Sequence, residues 1–366
     1  MNSKKIKVEG FVIIDGSYLE GGGQALRNAL SFSCILGKPV RVINIRANRP
    51  KPGLSHQHLH GVNLLRDITD AQVKGNAFSS TTLEFTPSAI VGNSYYVDTH
   101  TAASITLIYQ MALPVLLFAG RSSSLIVQGG TNVSFAPQVE YMQKVLLPNL
   151  KFFGADFYLK VLKYGFYPRG MGTCKLDVKP VNKLHAAQLI DFGSVKSVSG
   201  VAFCAGRVPK SIAKDMEEAA RAVIPRLIPS QHFSIESVKH SLERACDNGA
   251  GILITAQTST GCVLGADMLD KKKTNAHVLG DEAACKLAEY VCKEVCVDEH
   301  MQDQLIIYMA LADGHSKMRT GPLSNHTRTA IYIAEQMAGV KFNVEVESTD
   351  KMLVSCRGLG ILNVWS

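Results

Sequence analysis

Three glycines stand behind a carboxylate in EGGGQALRNAL, Glu20 to Leu30, and an amide and a guanidinium follow within one helical turn. Gln24 and Arg27, three residues apart, share one face of a helix begun at this turn, and a glycine backbone can approach an anion closely. A P-loop is excluded, because that device needs GxxxxGK[ST], with a lysine for the phosphates and a hydroxyl for the metal. A second group lies in NIRANRPKPGLSHQHLHG, Asn44 to Gly61, where Arg46, Arg49 and Lys51 stand beside Pro50 and Pro52. Guanidinium forks grip phosphate oxygens in pairs, and proline stiffens the loop that carries them. In GPLSNHTRTAIYIAEQ, His326 stands among small polar residues just before a helical run, and a neutral imidazole nitrogen is a nucleophile at physiological pH. DEHMQDQLIIYMALADG puts Asp303 and Gln304 at the start of an apolar helix, where a carboxylate caps or orients a neighbour. Each group has a structural alternative taken singly: a tight turn, a solubilising loop, a polar-turn histidine, a cap.

Two other groupings argue against metal or disulfide chemistry of their own. His56, His58 and His60 are spaced for a shared zinc on a helix, but no carboxylate or cysteine with ligand spacing accompanies them, so a helix-start or surface role is expected. The nine cysteines are scattered without a CxxC pair, which favours a reduced intracellular compartment over a disulfide framework. Cys292 and Cys296, four apart, read as helix core. The N-terminal MNSKKIKVEG lacks the apolar core of a signal peptide, and the longest apolar run, Leu107 to Gly120, is interrupted by Gln110 and Pro114 and reads as a buried helix. No membrane partner is expected. A formal charge of +8 suits a polyanionic partner such as nucleic acid.

The elements that must position these groups show a repeat. Helical runs end in glycine and enter alternating strands at LGKPVRVINI, FGADFYLKVL and AGVKFNVEVE, so Gly37, Gly154 and Gly339 read as helix C-caps. The alternation predicts a buried face made by Val40, Val42 and Asn44, by Phe157, Leu159 and Val161, and by Phe342, Val344 and Val346. In IVQGGTNVSFAPQVEYM, Pro137 is placed for a first helical turn. The uneven spacing implies an insertion between the second and third repeats. Its content reads as a small α/β domain: strands at SVSGVAFCAG, HFSIESV and GILITAQTS, a helix through SIAKDMEEAARAVI, and surface loops at CDNGAG and DKKKTNAH. The expectation is an α/β (α+β) chain of three helix-and-sheet units, with a large domain over residues 1–182 and 279–366. An inserted domain over 183–278 precedes the third repeat.

Taken in order, EGGGQALR, IRANRPKPGLSHQHL, GGTNVSFAPQ, GFYPRGMG, DEHMQDQL and NHTRTAI resemble the RNA 3′-terminal phosphate cyclases over nearly the whole chain. The resemblance implies three α/β repeats with a smaller inserted domain, matching the repeat count. It further implies that His326 attacks the α-phosphate of ATP and carries AMP, which passes to an RNA 3′-phosphate. The vicinal 2′-hydroxyl then closes a 2′,3′-cyclic phosphate and releases AMP. By the same resemblance Gln110, Pro137, His300, Asp303 and Gln304 line the nucleotide pocket. Arg27, Arg46, Arg49 and Gln57 contact phosphates, and Glu20 holds a divalent cation, Mg or Mn; these roles suit the charge on a transferred phosphoryl group. The implied partners are ATP and an RNA with a 3′-terminal phosphate, and the implied compartment is the nucleus, with the cytoplasm left open. Four positions depart from the family pattern: His300 stands for a usual tyrosine, Met171 breaks a glycine triplet, Tyr164 replaces an arginine and Ala103 a glycine. Two rivals share the fold expectation: a catalytically silent relative acting in ribosomal RNA processing, and an enolpyruvyl-transferase-like enzyme. A scaffold has no need of His326, Glu20 and Asp303, and an enolpyruvyl transferase forms no histidine adenylate.

Overall fold

The computed structural model describes residues 10–270 and 274–364. The lysine run at 271–273 lies outside them. Three sheets repeat one plan. The first unit runs β1 (Val12–Asp15), α1 (Gln24–Leu36), β2 (Val40–Ile43), α2 (His56–Thr69), β3 (Gln72–Lys74) and β4 (Leu83–Thr86). The second runs β5 (Ser94–Asp98), α3 (Ile105–Leu116), β6 (Ser123–Gly129), then α4 (Val139–Tyr141), a π-helical turn (Met142–Leu146) and α5 (Leu147–Lys151), and closes with β7 (Phe157–Lys163) and β8 (Gly172–Val178). The third opens with β9 (Gln188–Leu189). Between that strand and the rest of its unit come β10 (Val195–Ala205), α6 (Lys210–Leu227), β11 (His232–His240), β12 (Gly249–Thr258), β13 (Val263–Leu269) and α7 (Ala276–Cys292). The third unit resumes with α8 (Met301–Leu311), β14 (His315–Thr320), α9 (Asn325–Ala338), β15 (Phe342–Ser348) and β16 (Lys351–Arg357).

Strand orders β1-β2-β4-β3, β5-β6-β8-β7 and β9-β14-β16-β15 are the same order three times. In each, the first two strands pair parallel and the remaining pairings are antiparallel. The parallel step needs a crossover, and a helix supplies it each time. The expected position of the insertion shifts accordingly, since the inserted sheet β11-β10-β12-β13 leaves after β9 and thus interrupts the third unit instead of preceding it. A two-residue strand is too short to show a period in the sequence. At the far end, α7 packs on α6 and on β12 and β13, and residue 278 falls inside it.

The expected glycine caps need correction: Gly37 precedes a second strand, whereas Gly154 and Gly339 precede third strands, and the equivalent place before β3 is held by Asp70 at φ 46°, while Phe152 caps α5. Gly37 and Gly339 end α1 and α9 in the left-handed region at φ 64° and 70°, and Gly154 follows α5 at φ 76°. Within α1, Leu26, Ala29 and Leu30 are fully buried, and each leucine contributes about 1.5–3 kcal/mol by leaving water. The predicted strand faces hold at Val40, Val42, Phe157 and Leu159, which are buried, and Val161 is partly buried. They need correction elsewhere. Asn44 lies beyond β2 with φ 52°, and Val344 and Val346 are 40% and 70% exposed, because β15 stands clear of the core on both faces after Phe342. Pro137 also lies one residue before the Gln138 that caps α4, so it stands outside the first helical turn. The apolar run expected as a buried helix is α3, whose residues Ile105, Ile108, Met111, Ala112 and Leu113 are buried. Among the described residues no helix is long and apolar enough to cross a membrane.

Candidate active site

Three helix starts converge on one imidazole. Gln24 begins α1, Asp303 lies in the first turn of α8, and His326 is the second residue of α9. α9 packs against both α1 and α8, so the first and third units meet here. Each helix start carries partial positive charge and unpaired N–H groups, which suits an anionic ligand. Ser324 fixes the start of α9 by accepting a hydrogen bond from Thr327 N at 3.2 Å. Buried Gln302 on α8 braces the same turn, accepting from Ser324 N at 3.1 Å and from Thr327 Oγ1 at 2.6 Å.

A relay sets the tautomer of His326. Gln24 Nε2 donates to Asp303 Oδ2, which leaves Gln24 Oε1 facing His326 Nδ1 at 2.8 Å. An amide oxygen only accepts, so Nδ1 carries the proton and donates, and the lone pair of Nε2 is free. Burial pushes the His326 pKa below the ordinary histidine value, with Arg27, Arg49 and His300 adding to the shift and Asp303 opposing it. The imidazole is therefore neutral at physiological pH. Its side chain is still 51% exposed, so the free nitrogen can be reached. Burial raises the Asp303 carboxyl, against the pull of His326 and Arg27.

Glu20 stands beside this relay. Its Oε2 lies 3.7 Å from His326 Nδ1, is buried and has no hydrogen-bond partner, while Oε1 pairs with Arg49. A buried carboxylate oxygen without a donor fits a divalent cation. Among the described residues no group of three histidine, cysteine or carboxylate side chains could hold a metal, so an ion at Glu20 needs phosphate oxygens to complete its shell. The glycines before α1 permit this crowding: a Cβ on Gly22 would lie 2.3 Å from Glu20 Oε1, and one on Gly23 2.0 Å from His58 Nε2.

A cleft next to the relay is lined by Gln24, Arg27, Gln110, Asp303, Gln304 and Ile307. Burial lowers the Arg27 pKa to about 10, so it stays cationic at neutral pH. Arg46, with φ 54°, uses Nη1 to brace its own loop through Lys51 O at 2.9 Å and Gly53 O at 2.8 Å. That bracing presents Arg49, whose N–H bonds Arg46 O at 3.1 Å, toward Glu20. Gln57, in the first turn of α2, accepts from Ser104 N at 3.0 Å and so joins α2 to the start of α3. Pro137 and His300 do not line the cleft. Pro137 O accepts from Thr106 Oγ1 at 2.8 Å, and His300 precedes α8 with Nε2 4.0 Å from Asp267 Oδ1. Gln304 ties His300 to the cleft by donating from Nε2 to His300 O at 2.6 Å.

The other histidines have their own places. His58 is buried, its Nδ1 lies 2.6 Å from Ser55 Oγ, and burial drives its pKa to about 3. The rings of His56 and Phe78 stack at 4.7 Å. Cys296 is buried but Cys292 is exposed, so only one of that pair is core. Gln24, Gln302 and Asp298 are organising residues beyond the predicted set. Asp298 is fully buried and accepts from Tyr141 Oη, Gly265 N, His300 N and Met301 N, fixing the start of α8 against the inserted sheet. Only Gln24 carried a signal in the sequence, its shared helix face with Arg27.

Comparison with known proteins places the chain among its relatives. A family model of the RNA 3′-terminal phosphate cyclases matches residues 18–344. The chain is 69% identical over 350 residues to an RNA 3′-terminal phosphate cyclase of Drosophila melanogaster, covering 96% of this chain and 97% of that relative. It is 38% identical to the protein of the same name from Pyrobaculum neutrophilum and 36% to that of Methanopyrus kandleri, covering 95% of this chain and 99% of the relative in both cases. Family match, full-length identity and a histidine relay at the meeting of three helix starts lead to one statement: the chain belongs to the RNA 3′-terminal phosphate cyclase family.

Proposed function

We propose that this chain uses ATP to convert an RNA 3′-terminal phosphate into a 2′,3′-cyclic phosphate, with His326 as the covalent nucleophile. The observation that carries the reading is the Asp303–Gln24–His326 relay, which protonates Nδ1 and frees Nε2. Nε2 attacks the α-phosphorus of ATP, a P–N bond forms, and pyrophosphate leaves. The gained positive charge on the ring is offset by the Asp303 carboxylate behind Gln24 and by Glu20 Oε2. An oxygen of the RNA 3′-phosphate then attacks that phosphorus, breaking the P–N bond and linking AMP to the RNA end. Finally the terminal 2′-hydroxyl attacks the RNA phosphorus, expels AMP and gives its proton to solvent.

Arg27, Arg46 and Arg49 offset phosphate charge during these transfers, and Gln57 holds the loop before α3 in register. Gln110, Asp303 and Gln304 form the nucleotide pocket, and Pro137 and His300 support it from outside the cleft, Pro137 through Thr106 and His300 through Gln304. A divalent cation at Glu20, Mg or Mn, supplies further neutralisation of the triphosphate. The proposed small domain keeps the expected insertion and moves its edges to the end of β9 and the end of α7. The nuclear compartment is part of the same proposal, rests on the family resemblance, and is tested by imaging the tagged chain.

Incubation with ATP labelled at the α-phosphate tests the central step. The chain should take up an acid-labile, alkali-stable label, and His326→Ala should take up none. Label retained in that variant identifies another nucleophile and overturns the mechanism. A wild-type chain that takes up no label supports the catalytically silent reading.

A further inference from the structure

The segment GFYPRGMG, which the histidine site leaves without a role, builds a ridge between the second unit and the inserted sheet. Tyr164 N donates to Arg244 O at 2.8 Å and Cys246 N to Tyr164 O at 2.9 Å. The Tyr164 ring stacks on His240 at 4.0 Å, and Phe166 packs into a small core with Phe203, Ala205 and Ala245. The loop is thus anchored from below. Above that anchor Tyr167 is 71% exposed and Met171 52% exposed, the latter at φ 57°, where a non-glycine backbone is strained. An anchored loop that holds a ring and a thioether in water leaves both open to contact.

Charge decides what kind of contact. Lys163, Arg169, Arg207 and Arg244 are all exposed around this ridge. Among the described residues Lys163, Arg207 and Arg244 form no ion pair; Arg169 pairs with Asp247 at 3.2 Å yet stays 63% exposed. Two further acids lie close in sequence or space: Glu243, which is exposed, and Glu140, which is partly buried beneath the ridge and hydrogen-bonded to Tyr164 and Asn132. A surplus of cations beside flat apolar side chains suits a polyanion with stacking faces.

The ridge also leads to the histidine site. Gly170 packs against the loop after β5, so closely that a Cβ there would lie 2.5 Å from Thr101 O. That loop ends at Ser104, whose N–H is bonded to Gln57. We propose that Tyr167 and Met171, rimmed by Lys163, Arg169, Arg207 and Arg244, dock the single-stranded RNA that precedes the reacting 3′ end. The proposal rests on the reading of the chain as an RNA-end cyclase and adds where the RNA body lies. Short ends need only the histidine site, whereas longer RNAs reach the ridge.

The test uses the full chain, two RNAs with 3′-phosphates, of about three and about twelve nucleotides, and the variants Tyr167→Ala and Arg207→Glu/Arg244→Glu. For the longer RNA each variant should raise KM and the anisotropy Kd about tenfold. The salt dependence of the double variant should flatten by about 1.4 in log–log slope, the share of two single-strand phosphates. For the shorter RNA, KM, kcat and labelling of His326 should not change. Equal losses for both lengths, or no loss for the longer one in a chain that cyclises both, overturns the ridge as an RNA site and leaves a protein partner as its occupant. A wild-type chain that cyclises neither RNA defeats the functional reading instead. The anisotropy of the longer RNA then still decides the ridge, since loss of binding in the variants supports it and unchanged binding rejects it.

Discussion

His326 and His58 both stand in the first turn of a helix, and both have Nδ1 within hydrogen-bond reach of a side chain, yet they end as different chemical objects. His58 faces Ser55, is buried against the glycine turn, and its pKa falls to about 3. Its Nε2 is buried without a partner, and a Cβ on Gly23 would collide with it. His326 faces an amide that is itself held by a carboxylate, and half of its side chain is open. Residue type and helix position are therefore not enough to make a nucleophile. A fixed tautomer and an accessible second nitrogen are also required.

The strongest way to break this contrast is to remove the relay and keep the proposed nucleophile. Gln24→Ala leaves the imidazole free to rotate and change tautomer, and adenylylation should slow about 100-fold, the effect of a small misplacement at a reacting centre. Single-turnover labelling measures it, and a rate close to wild type shows that Gln24 does not set the reactive form.

A gentler probe is pH. Protonation of His326 consumes its lone pair, and its pKa is lowered by burial, so the reactive neutral form persists at neutral pH and is lost only as pH falls through the lowered value. The acid limb of the labelling rate should lie below about pH 6.5, the ordinary histidine value. A limb above it contradicts the role of burial and of Arg27 and Arg49.

The smallest effect on rate belongs to the other member of the pair. His58→Ala should leave labelling, turnover and metal content near wild type, while unpairing Ser55 and opening space beside Gly23. Stability should fall by roughly 1–3 kcal/mol, read from denaturant unfolding. A large loss of bound divalent ion in this variant would move the cation from Glu20 to α2.

Much of this protein was legible in its residues. Helix-ending glycines and alternating strands pointed to a repeat, because capping and strand periodicity are local properties, but the register was misplaced in the first unit, where Asp70 and not Gly37 holds the place of Gly154 and Gly339. His326, Asp303, Arg27 and Glu20 could be singled out by chemical type and by the ordered resemblance of their motifs. Tertiary structure decided what no local pattern carries. β9 belongs to the third sheet only through its pairing with β14, and Val344 and Val346 are exposed because β15 stands clear of the core, whereas β7, at the same edge of its sheet, buries Phe157 and Leu159. The proton on His326 is likewise set at long range, since Gln24 lies 302 residues away in sequence and Asp303 holds that amide in place. Hydrogen-bond direction and solvent access depend on which helix starts meet in space, and the sequence around His326 and His58 alone does not tell the accessible imidazole from the buried one.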